Sequence, residues 1–357
     1  MSDWKSNLTD LIPYEAGIQI KGDDIIKLNA NENPYPPSPQ TEKILKNFDP
    51  EDLKKYPTLG ISFLDEAIAD FHKVKNINVL SGNSSDEILA MCFRAFFNSE
   101  KPILFADITY SFYPVWCDFY NIPYEKIPVN KFFEINIKDY ISKNNGGIII
   151  PNPNAPTGIE MSLDNIEELL SENQSSVVVI DEAYSDFGNV SAVELVNRYE
   201  NLLVTKTMSK SRSLAGLRVG YAIGSRLLID ALRASMHSFN AYPLSSLSIK
   251  IAESSVKDND YFLKTVNQIK KTREKTKQSL LQRGFEMTDS MANFLFITHN
   301  KIKASDLYKF LLERKILVRH FDKPKTENYL RVSVGTEYEM GKFLEVVDEY
   351  MEENNVI

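Results

Sequence analysis

Short apolar runs alternate with longer segments of helical periodicity through the central part of the chain. The runs are rich in Ile, Val and Leu and lie at residues 77–80, 103–105, 148–150, 177–180, 202–204 and 219–223. Near-continuous apolar runs of this length are typical of strands that are covered on both faces. The pattern therefore predicts an α/β fold, in which a mainly parallel sheet has helices on each side.

A second, smaller unit is predicted beyond this region. A long amphipathic helix is expected at 261–283, and it ends at Gly284. It is followed by predicted strands at 294–298, 316–320 and 330–334 and by predicted helices at 304–314 and 338–352. We predict an N-terminal arm at 1–40 that packs on the small domain, a large domain at 41–250 and a small C-terminal domain at 251–357.

The chemically suggestive residues follow the carboxyl ends of the predicted strands. They lie in loops at 81–86, 107–110, 151–158, 181–184 and 205–210. In open α/β sheets, ligands bind in the crevice outside those ends, where loops from neighbouring strands meet. We therefore expect these loops to build one site.

Composition narrows the class of protein. The chain has 357 residues and a hydrophobic content of 43%, which suits two domains with a sizeable core. Its net charge of -8 argues against nucleic acid or an anionic membrane as the main partner. Cys92, Cys117 and the scattered histidines show no metal-binding or disulfide spacing. No apolar run approaches the roughly 20 residues that span a bilayer, so we expect a cytoplasmic protein.

One compound pattern indicates a cofactor. Asp181 ends an apolar run, Lys210 lies in a Ser/Thr-rich loop, and Arg218 follows eight residues later. Alone, each has an ordinary interpretation as a helix cap or a solvated charge. In this order they are the groups that pyridoxal phosphate needs: Asp181 would hold the pyridine nitrogen protonated and Lys210 would form the Schiff base. Thr207, Ser209 and Arg218 would neutralise the phosphate.

The loop at 82–87 offers a second anion-binding element. Ser84, Ser85 and Asp86 precede a helical stretch at 88–97, and the free N–H groups at a helix N-terminus favour phosphate. By itself such a sequence is more often an ordinary helix cap. Together with Lys210 and Arg218 it is interpreted as the phosphate-binding loop.

Four further residues are candidates for cofactor or substrate contacts. Tyr110 can stack on the cofactor ring, and Tyr184 can reach the cofactor's 3'-oxygen. Arg319 and Arg331 lie on predicted strands, where an arginine is either a salt-bridged structural residue or a clamp for a carboxylate or phosphate.

With these residues placed, nearly the whole chain resembles the histidinol-phosphate aminotransferases, which are class-II pyridoxal-phosphate-dependent aminotransferases of fold type I. The segment most specific to this branch is Asn-Ala-Asn-Glu-Asn-Pro-Tyr at 29–35. The other matching segments lie at 13–17, 56–57, 82–87, 152–158, 181–184, 207–218 and 330–336. The resemblance implies a large domain with a mainly parallel seven-stranded sheet covered by helices, and a smaller α/β domain.

The resemblance also implies an activity. Such enzymes interconvert histidinol phosphate plus 2-oxoglutarate and imidazole-acetol phosphate plus glutamate, by ping-pong chemistry on pyridoxal phosphate. By the same resemblance, Lys210 carries the cofactor, Asp181 pairs with its pyridine nitrogen and Tyr184 contacts its 3'-oxygen. The phosphate is bound by Arg218, Thr207, Ser209 and the backbone of Ser84, Ser85 and Asp86, and Tyr110 stacks on the ring.

Substrate and subunit contacts follow from the resemblance as well. Tyr56 is expected to reach the cofactor phosphate of a neighbouring subunit, which implies a homodimer with shared sites. Arg331 is the expected anchor for the carboxylate of glutamate. Arg319 with Tyr14 is expected to bind the phosphate of histidinol phosphate.

The sequence departs from the family at one position. The family segment commonly reads Asn-Pro-Asn-Asn-Pro-Thr-Gly, and the Asn before the second Pro bonds the cofactor's 3'-oxygen. Here that position is Ala155, which cannot make the bond. Either Asn154 substitutes for it or Tyr184 makes the contact alone.

Rival functions share most of these residues. An aromatic-amino-acid aminotransferase would use Arg331 equally well, and a related decarboxylase would act on threonine phosphate. A regulator that only binds pyridoxal phosphate would need a basic helix-turn-helix extension, for which the chain has neither the length nor the charge.

Overall fold

A seven-stranded sheet forms the centre of the larger part of the molecule. The structure is a computed structural model that describes residues 4–8, 10–13, 17–20, 22, 24–57, 59–141 and 143–356. Tyr14 lies outside the described residues. In chain order the strands are β1 Ile26–Lys27, β2 Val79–Asn83, β3 Ile103–Ala106, β4 Tyr124–Ile127, β5 Gly147–Pro151, β6 Val178–Asp181, β7 Leu202–Thr207, β8 Val219–Gly224, β9 Glu286–Met287, β10 Phe294–Thr298, β11 Ile316–Leu317, β12 Arg319–His320 and β13 Leu330–Ser333.

The central sheet has the strand order β2-β8-β7-β6-β5-β3-β4. Only β8 runs against the others, because it pairs antiparallel with both β2 and β7 while the remaining neighbours are parallel. The predicted α/β fold with a mainly parallel sheet is therefore confirmed.

Helices cover both faces of this sheet. In chain order the α-helices of the described residues are α1 Pro39–Asn47, α2 Phe63–His72, α3 Ser84–Phe96, α4 Phe112–Tyr120, α5 Lys138–Ile141, α6 Leu163–Glu172, α7 Arg226–Phe239, α8 Ser246–Lys257, α9 Asn259–Gln282, α10 Ala304–Glu313 and α11 Glu337–Glu353. Of these, α10 and α11 pack in the core of the C-terminal part instead. Alternate residues of the buried strands face different layers: Ile150 and Ile180 pack in one apolar cluster, whereas Ile149 and Val179 pack in the other. Their runs are apolar throughout because both faces of each strand are buried.

The C-terminal part has its own sheet and core. Strands β12-β13-β10-β9 form a four-stranded antiparallel sheet. β1 joins this part through parallel pairing with β11, and Leu28, next to β1, is buried in the same apolar cluster as β10 and β13. The boundaries of the arm and the two domains, at residues 40 and 250, stay predictions.

Several strands differ from the sequence pattern, among them the two-residue strands β1 and β9, which were not predicted. The predicted strand at 316–320 is divided at Val318, since β11 pairs with β1 whereas β12 pairs with β13. β4 was not predicted because it is an edge strand with Glu125 and Lys126 at its centre, so it lacks an apolar run. Among the described residues, no helix is both long and apolar enough to span a membrane.

Candidate active site

The five predicted loops follow or include the carboxyl ends of β2, β3, β5, β6 and β7 in the central sheet. Asp181 is the last residue of β6, and Lys210 follows the end of β7 by three residues. β13 contributes Arg331 from the C-terminal sheet, and the segment at 29–31 lies against the same group. The candidate site is therefore built from both sheets and from the N-terminal segment.

Asp181 is a buried carboxylate with neutral hydrogen-bond donors. It is 4% exposed, and its Oδ2 accepts a bond of 2.9 Å from the Tyr113 hydroxyl. The N–H of Ala183 donates to its Oδ1 at 3.2 Å. Burial raises the pKa of the Asp181 carboxyl to about 6, and the bond from Tyr113 opposes that rise. A cation placed against it would restore the ionised form, and a protonated pyridine nitrogen is such a cation.

Lys210 carries an amine of reduced basicity. Its Nζ donates to the carbonyl oxygen of Ala30 at 3.0 Å. Burial, followed by the charge of Arg331, lowers the pKa of the Lys210 amine to about 8. A substantial fraction is therefore neutral near pH 8, as a nucleophile or general base requires.

Tyr184 lies close to Lys210 and to Phe294, whose ring is also close to Arg331. Its ring centroid lies 6.0 Å from the Lys210 Nζ and 5.1 Å from the ring of Phe294, which it meets edge-on. The guanidinium carbon of Arg331 lies 5.4 Å from that Phe294 ring. Burial raises the pKa of the Tyr184 hydroxyl, so it is a neutral group near pH 7.

The first turn of α3 forms a cradle of backbone donors. α3 begins directly after β2, and the preceding Asn83 makes no side-chain capping bond. Gly220 of β8 passes close to this turn: a Cβ added there would lie 2.3 Å from the Ser85 nitrogen and 2.5 Å from the Ser84 carbonyl carbon. The glycine therefore permits the close approach, and the helix N-terminus favours an anion.

Hydroxyls and a cation complete the cradle. The Thr207 hydroxyl donates to the Ser209 hydroxyl at 3.0 Å. Thr207 lies opposite Gly220 of β8, the strand that packs against the first turn of α3. Arg218 donates to Asp86 Oδ2 at 2.8 Å, and the Tyr110 hydroxyl donates to Asp86 Oδ1 at 3.0 Å. The structure thus brings the predicted phosphate-binding residues and Tyr110 together. With the buried Asp181 carboxylate and the Lys210 amine, this donor set fits pyridoxal phosphate.

Arg319 and Arg331 lie opposite each other on neighbouring strands of the C-terminal sheet. They are directly opposed in the antiparallel pair β12 and β13, and each guanidinium carbon lies 5.6 Å from the ring of Phe321. Like charges in opposed positions are unfavourable. The Tyr14 partner predicted for Arg319 lies outside the described residues.

The loop with the family departure is tightly bonded. The Asn154 amide donates to the carbonyl of Ile108 at 2.9 Å and to the Thr157 hydroxyl at 3.2 Å. Its oxygen accepts from Thr109 at 2.9 Å. Both N–H bonds of Asn154 are thus used within the protein, and its direct contact with the cofactor stays a prediction. Ala155 packs in an apolar cluster with Phe294.

Tyr56 lies on the surface of the single chain. It is 80% exposed and stacks on Tyr242 with ring centroids 4.5 Å apart. Its predicted contribution to a neighbouring subunit's site stays a prediction.

Sequence reasoning missed two side chains at the site. Tyr113, which bonds Asp181, lies one helical turn after Tyr110, and that spacing was the available signal. Asn31, which bonds Tyr184, lies in the segment that carries the resemblance but received no role there. Both act on partners that are distant in sequence, so spacing alone could not pair them.

Comparisons with known proteins show the family and the fold of this chain. The model of the family "Aminotransferase class I and II" matches residues 23–347. A histidinol-phosphate aminotransferase of Lactococcus lactis subsp. cremoris is 47% identical over 348 residues, which are 98% of each chain. The crystal structure of the histidinol-phosphate aminotransferase from Clostridium acetobutylicum superposes with a TM-score of 0.84 at 24% identity, over 92% of this chain and 100% of that one. That from Sinorhizobium meliloti, in complex with pyridoxal-5'-phosphate, gives a TM-score of 0.82 at 19% identity over 92% of each chain.

Proposed function

The chain belongs to the class I and II aminotransferase family, and on that premise we propose that it interconverts histidinol phosphate plus 2-oxoglutarate and imidazole-acetol phosphate plus glutamate. The name of the 47% identical relative supports this reaction. Within the structure, the carrying observation is Arg331, whose charge lowers the pKa of the Lys210 amine and which lies opposite Arg319 in the pair β12 and β13, because this reaction brings phosphate and carboxylate substrates to one site in turn.

Pyridoxal phosphate is the cofactor, and when bound it supplies an electron sink next to the substrate's α-carbon. Lys210 would hold it covalently, while Asp181 would keep its pyridine nitrogen protonated. The first turn of α3, the Thr207 and Ser209 hydroxyls and Arg218 would bind its phosphate. Tyr110 would pack on its ring.

Lys210 moves the proton in the proposed reaction. Its Nζ would remove the proton from the substrate's Cα, since burial keeps a share of this amine neutral. The carbonyl of Ala30, 3.0 Å from Nζ, orients the amine for that task.

Each of the two arginines would bind a different anionic group of the substrates. Arg331 would hold the carboxylate of glutamate or 2-oxoglutarate, and its Nη2 is already fixed by a 3.1 Å bond to the carbonyl of Asn29. Arg319 would bind the phosphate of histidinol phosphate, together with Tyr14. The bidentate fit of a guanidinium to either anion supports this assignment.

We further propose a cytoplasmic homodimer in which Tyr56 reaches the cofactor phosphate of the neighbouring subunit. The 80% exposure of Tyr56 in one chain supports this, because a tyrosine that binds a partner's ligand must be free of its own core. Cys92 and Cys117 are buried free thiols, which suits a reducing compartment.

The proposed reaction is tested by adding histidinol phosphate to the purified protein loaded with pyridoxal phosphate. Conversion of the cofactor's absorbance to that of its amine form at low histidinol phosphate, reversed by 2-oxoglutarate, is the expected result. Conversion only by phenylalanine would instead make the protein an aromatic-amino-acid aminotransferase. Release of CO2 from threonine phosphate, with the amine retained, would identify the decarboxylase.

A further inference from the structure

Asn31 is held by four hydrogen bonds that join the N-terminal segment to the site. Its backbone N–H donates to the Ser333 hydroxyl at 2.8 Å, and its carbonyl accepts from the Asn293 amide at 3.0 Å. The Ser333 hydroxyl donates to Asn31 Oδ1 at 3.0 Å. Its Nδ2 donates to the Tyr184 hydroxyl oxygen at 3.0 Å. The residue is 1% exposed, so these bonds are shielded from water.

The bond from Ser333 fixes which end of the Asn31 amide faces Tyr184. Since the Ser333 hydroxyl donates to Oδ1, the N–H side of the amide is left to face the tyrosine. The Tyr184 oxygen therefore accepts from Asn31. A phenol has one proton, so that proton remains free to donate to another group.

In the described loop at 152–158, neither Ala155 nor Asn154 has a side-chain donor that could serve the same purpose. Ala155 has no polar side-chain atom and packs in the apolar cluster that Tyr184 adjoins. Asn154 spends both of its amide protons on Ile108 and Thr157. The direction of the Tyr184 bond therefore matters more here than in a site with a second amide.

We propose that Asn31 is a positioning residue, which acts through Tyr184 by keeping the tyrosine's proton pointed at the 3'-oxygen of pyridoxal phosphate. The inference rests on the proposed cofactor role of Tyr184. It is independent of which amino donor the enzyme uses.

The decisive variant is Asn31→Asp. Asn31 has a φ of 53°, a left-handed conformation that aspartate tolerates about as well as asparagine. The carboxylate oxygen would accept from the Tyr184 hydroxyl, which reverses the bond and withdraws the proton from the cofactor. Without that donor, the negative charge on the 3'-oxygen is less stabilised. The pH midpoint at which the absorbance of the bound cofactor changes should rise by about one unit.

A second variant distinguishes reversal of the Asn31–Tyr184 hydrogen bond from its simple loss. Asn31→Gly suits the positive φ and removes the side chain, but the Tyr184 hydroxyl keeps its proton. Its midpoint should rise less than that of Asn31→Asp. Asn29→Asp is the matched charge control, because it adds the same charge two residues away and its amide contacts Ile18 rather than Tyr184. It should also shift the midpoint less than Asn31→Asp.

Both substitutions at residue 31 are repeated with Tyr184→Phe. If Asn31 acts through the tyrosine, the Asn31→Gly shift should disappear in that background and the Asn31→Asp shift should fall to that of Asn29→Asp. Equal shifts with and without the Tyr184 hydroxyl would overturn the proposal, and so would an unshifted midpoint in a cofactor-loaded Asn31→Asp protein. Should Asn31→Asp fail to fold, the Asn31→Gly pair decides alone. These titrations use no substrate, so a failure of the proposed reaction would be seen separately.

Discussion

Asp181, Lys210 and Tyr184 owe their altered acidity to burial more than to any charged partner. Burial raises the pKa of Asp181 and Tyr184 and lowers that of Lys210. It therefore favours the neutral form of each group before the cofactor is present. A bound pyridinium beside Asp181 would offset part of that cost, so cofactor affinity and protein stability should be linked.

The Asp181 carboxyl should make the cofactor-free protein less stable as the pH rises. Its folded pKa of about 6 lies above the ordinary value, so the folded state binds more protons between about pH 4 and 6. Replacement by Asn removes this titration. The stability of Asp181→Asn relative to the unmodified protein should therefore increase by up to about 3 kcal/mol from pH 4 to pH 7. Urea denaturation at both pH values measures the difference, and a difference independent of pH would contradict it.

Lys210→Ala should abolish transamination. The variant loses both the covalent hold on the cofactor and the base at the substrate's Cα, so a fall in turnover of at least about 1,000-fold is expected. Single-turnover absorbance changes with histidinol phosphate provide the measurement. The control is Lys250→Ala, which removes a surface ion pair with Asp52 and a cation–π contact with Phe48 and should leave turnover unchanged. Substantial residual transamination without Lys210 would refute the assignment of the lysine.

At the scale of elements, the contact between β8 and the first turn of α3 shapes the phosphate cradle. Because Gly220 lacks a side chain, the strand lies directly against the amides of that turn. The conformation of the cradle thus depends on a strand that runs against all its neighbours in the central sheet.

Gly220→Ala should disturb this contact and weaken cofactor binding. The new Cβ would overlap backbone atoms of Ser84 and Ser85, which must then shift, at a cost of about 1–3 kcal/mol. We expect a lower melting temperature and a pyridoxal phosphate dissociation constant at least about tenfold higher. Gly216→Ala is the matched control, since nothing lies within 4 Å of the Cβ it would add. Equal effects of the two substitutions would argue against the cradle.

The buried strands of the central sheet could be predicted from the sequence because both faces of each are apolar. β4 escaped because its central residues Glu125 and Lys126 interrupt the apolar pattern. The division at Val318 could not be predicted because β11 and β12 are both extended. They differ only in the strand with which each pairs. Hydrophobic pattern reports burial, whereas it says little about which strand pairs with which.

The site was predictable as far as single loops were concerned. Asp181 ends β6 and Lys210 follows β7, and the rule for open α/β sheets brings such loops together. Arg218 directly precedes the antiparallel β8, whose start lies at the same edge. The bonds of Tyr113 to Asp181 and of Asn31 to Tyr184 join residues 68 and 153 positions apart. Contacts of that kind depend on tertiary packing, which no local pattern encodes.

At the scale of the whole molecule, the proposed dimer makes each site a product of two chains. Tyr56 would come from one chain, and Lys210 with the rest of the site from the other. The exposed Tyr56 ring, stacked on Tyr242, is already held in place in the single chain. Preorganisation of this kind reduces the cost of assembly.

Mixing two inactive variants should restore activity. In a mixed dimer of Lys210→Ala and Tyr56→Phe, one site has both defects and the other has neither. Refolding equal amounts together should recover about a quarter of the unmodified turnover, since half of the dimers are mixed and each has one intact site. Turnover of the unfractionated mixture and the masses of its dimers provide the measurement. If Tyr56 served its own chain, no mixture would exceed the separate variants.

The bonds between Asn31 and Ser333 have a consequence for how the enzyme is made. The two residues lie 302 positions apart, and Asn31 leaves the ribosome long before its partner exists. At 5–20 residues per second, that delay is roughly 15–60 s. During this delay, the segment at 29–31 lacks the end of β13 to which it binds. The N-terminal segment of a nascent chain is therefore open to chaperones and proteases until Ser333 has been made.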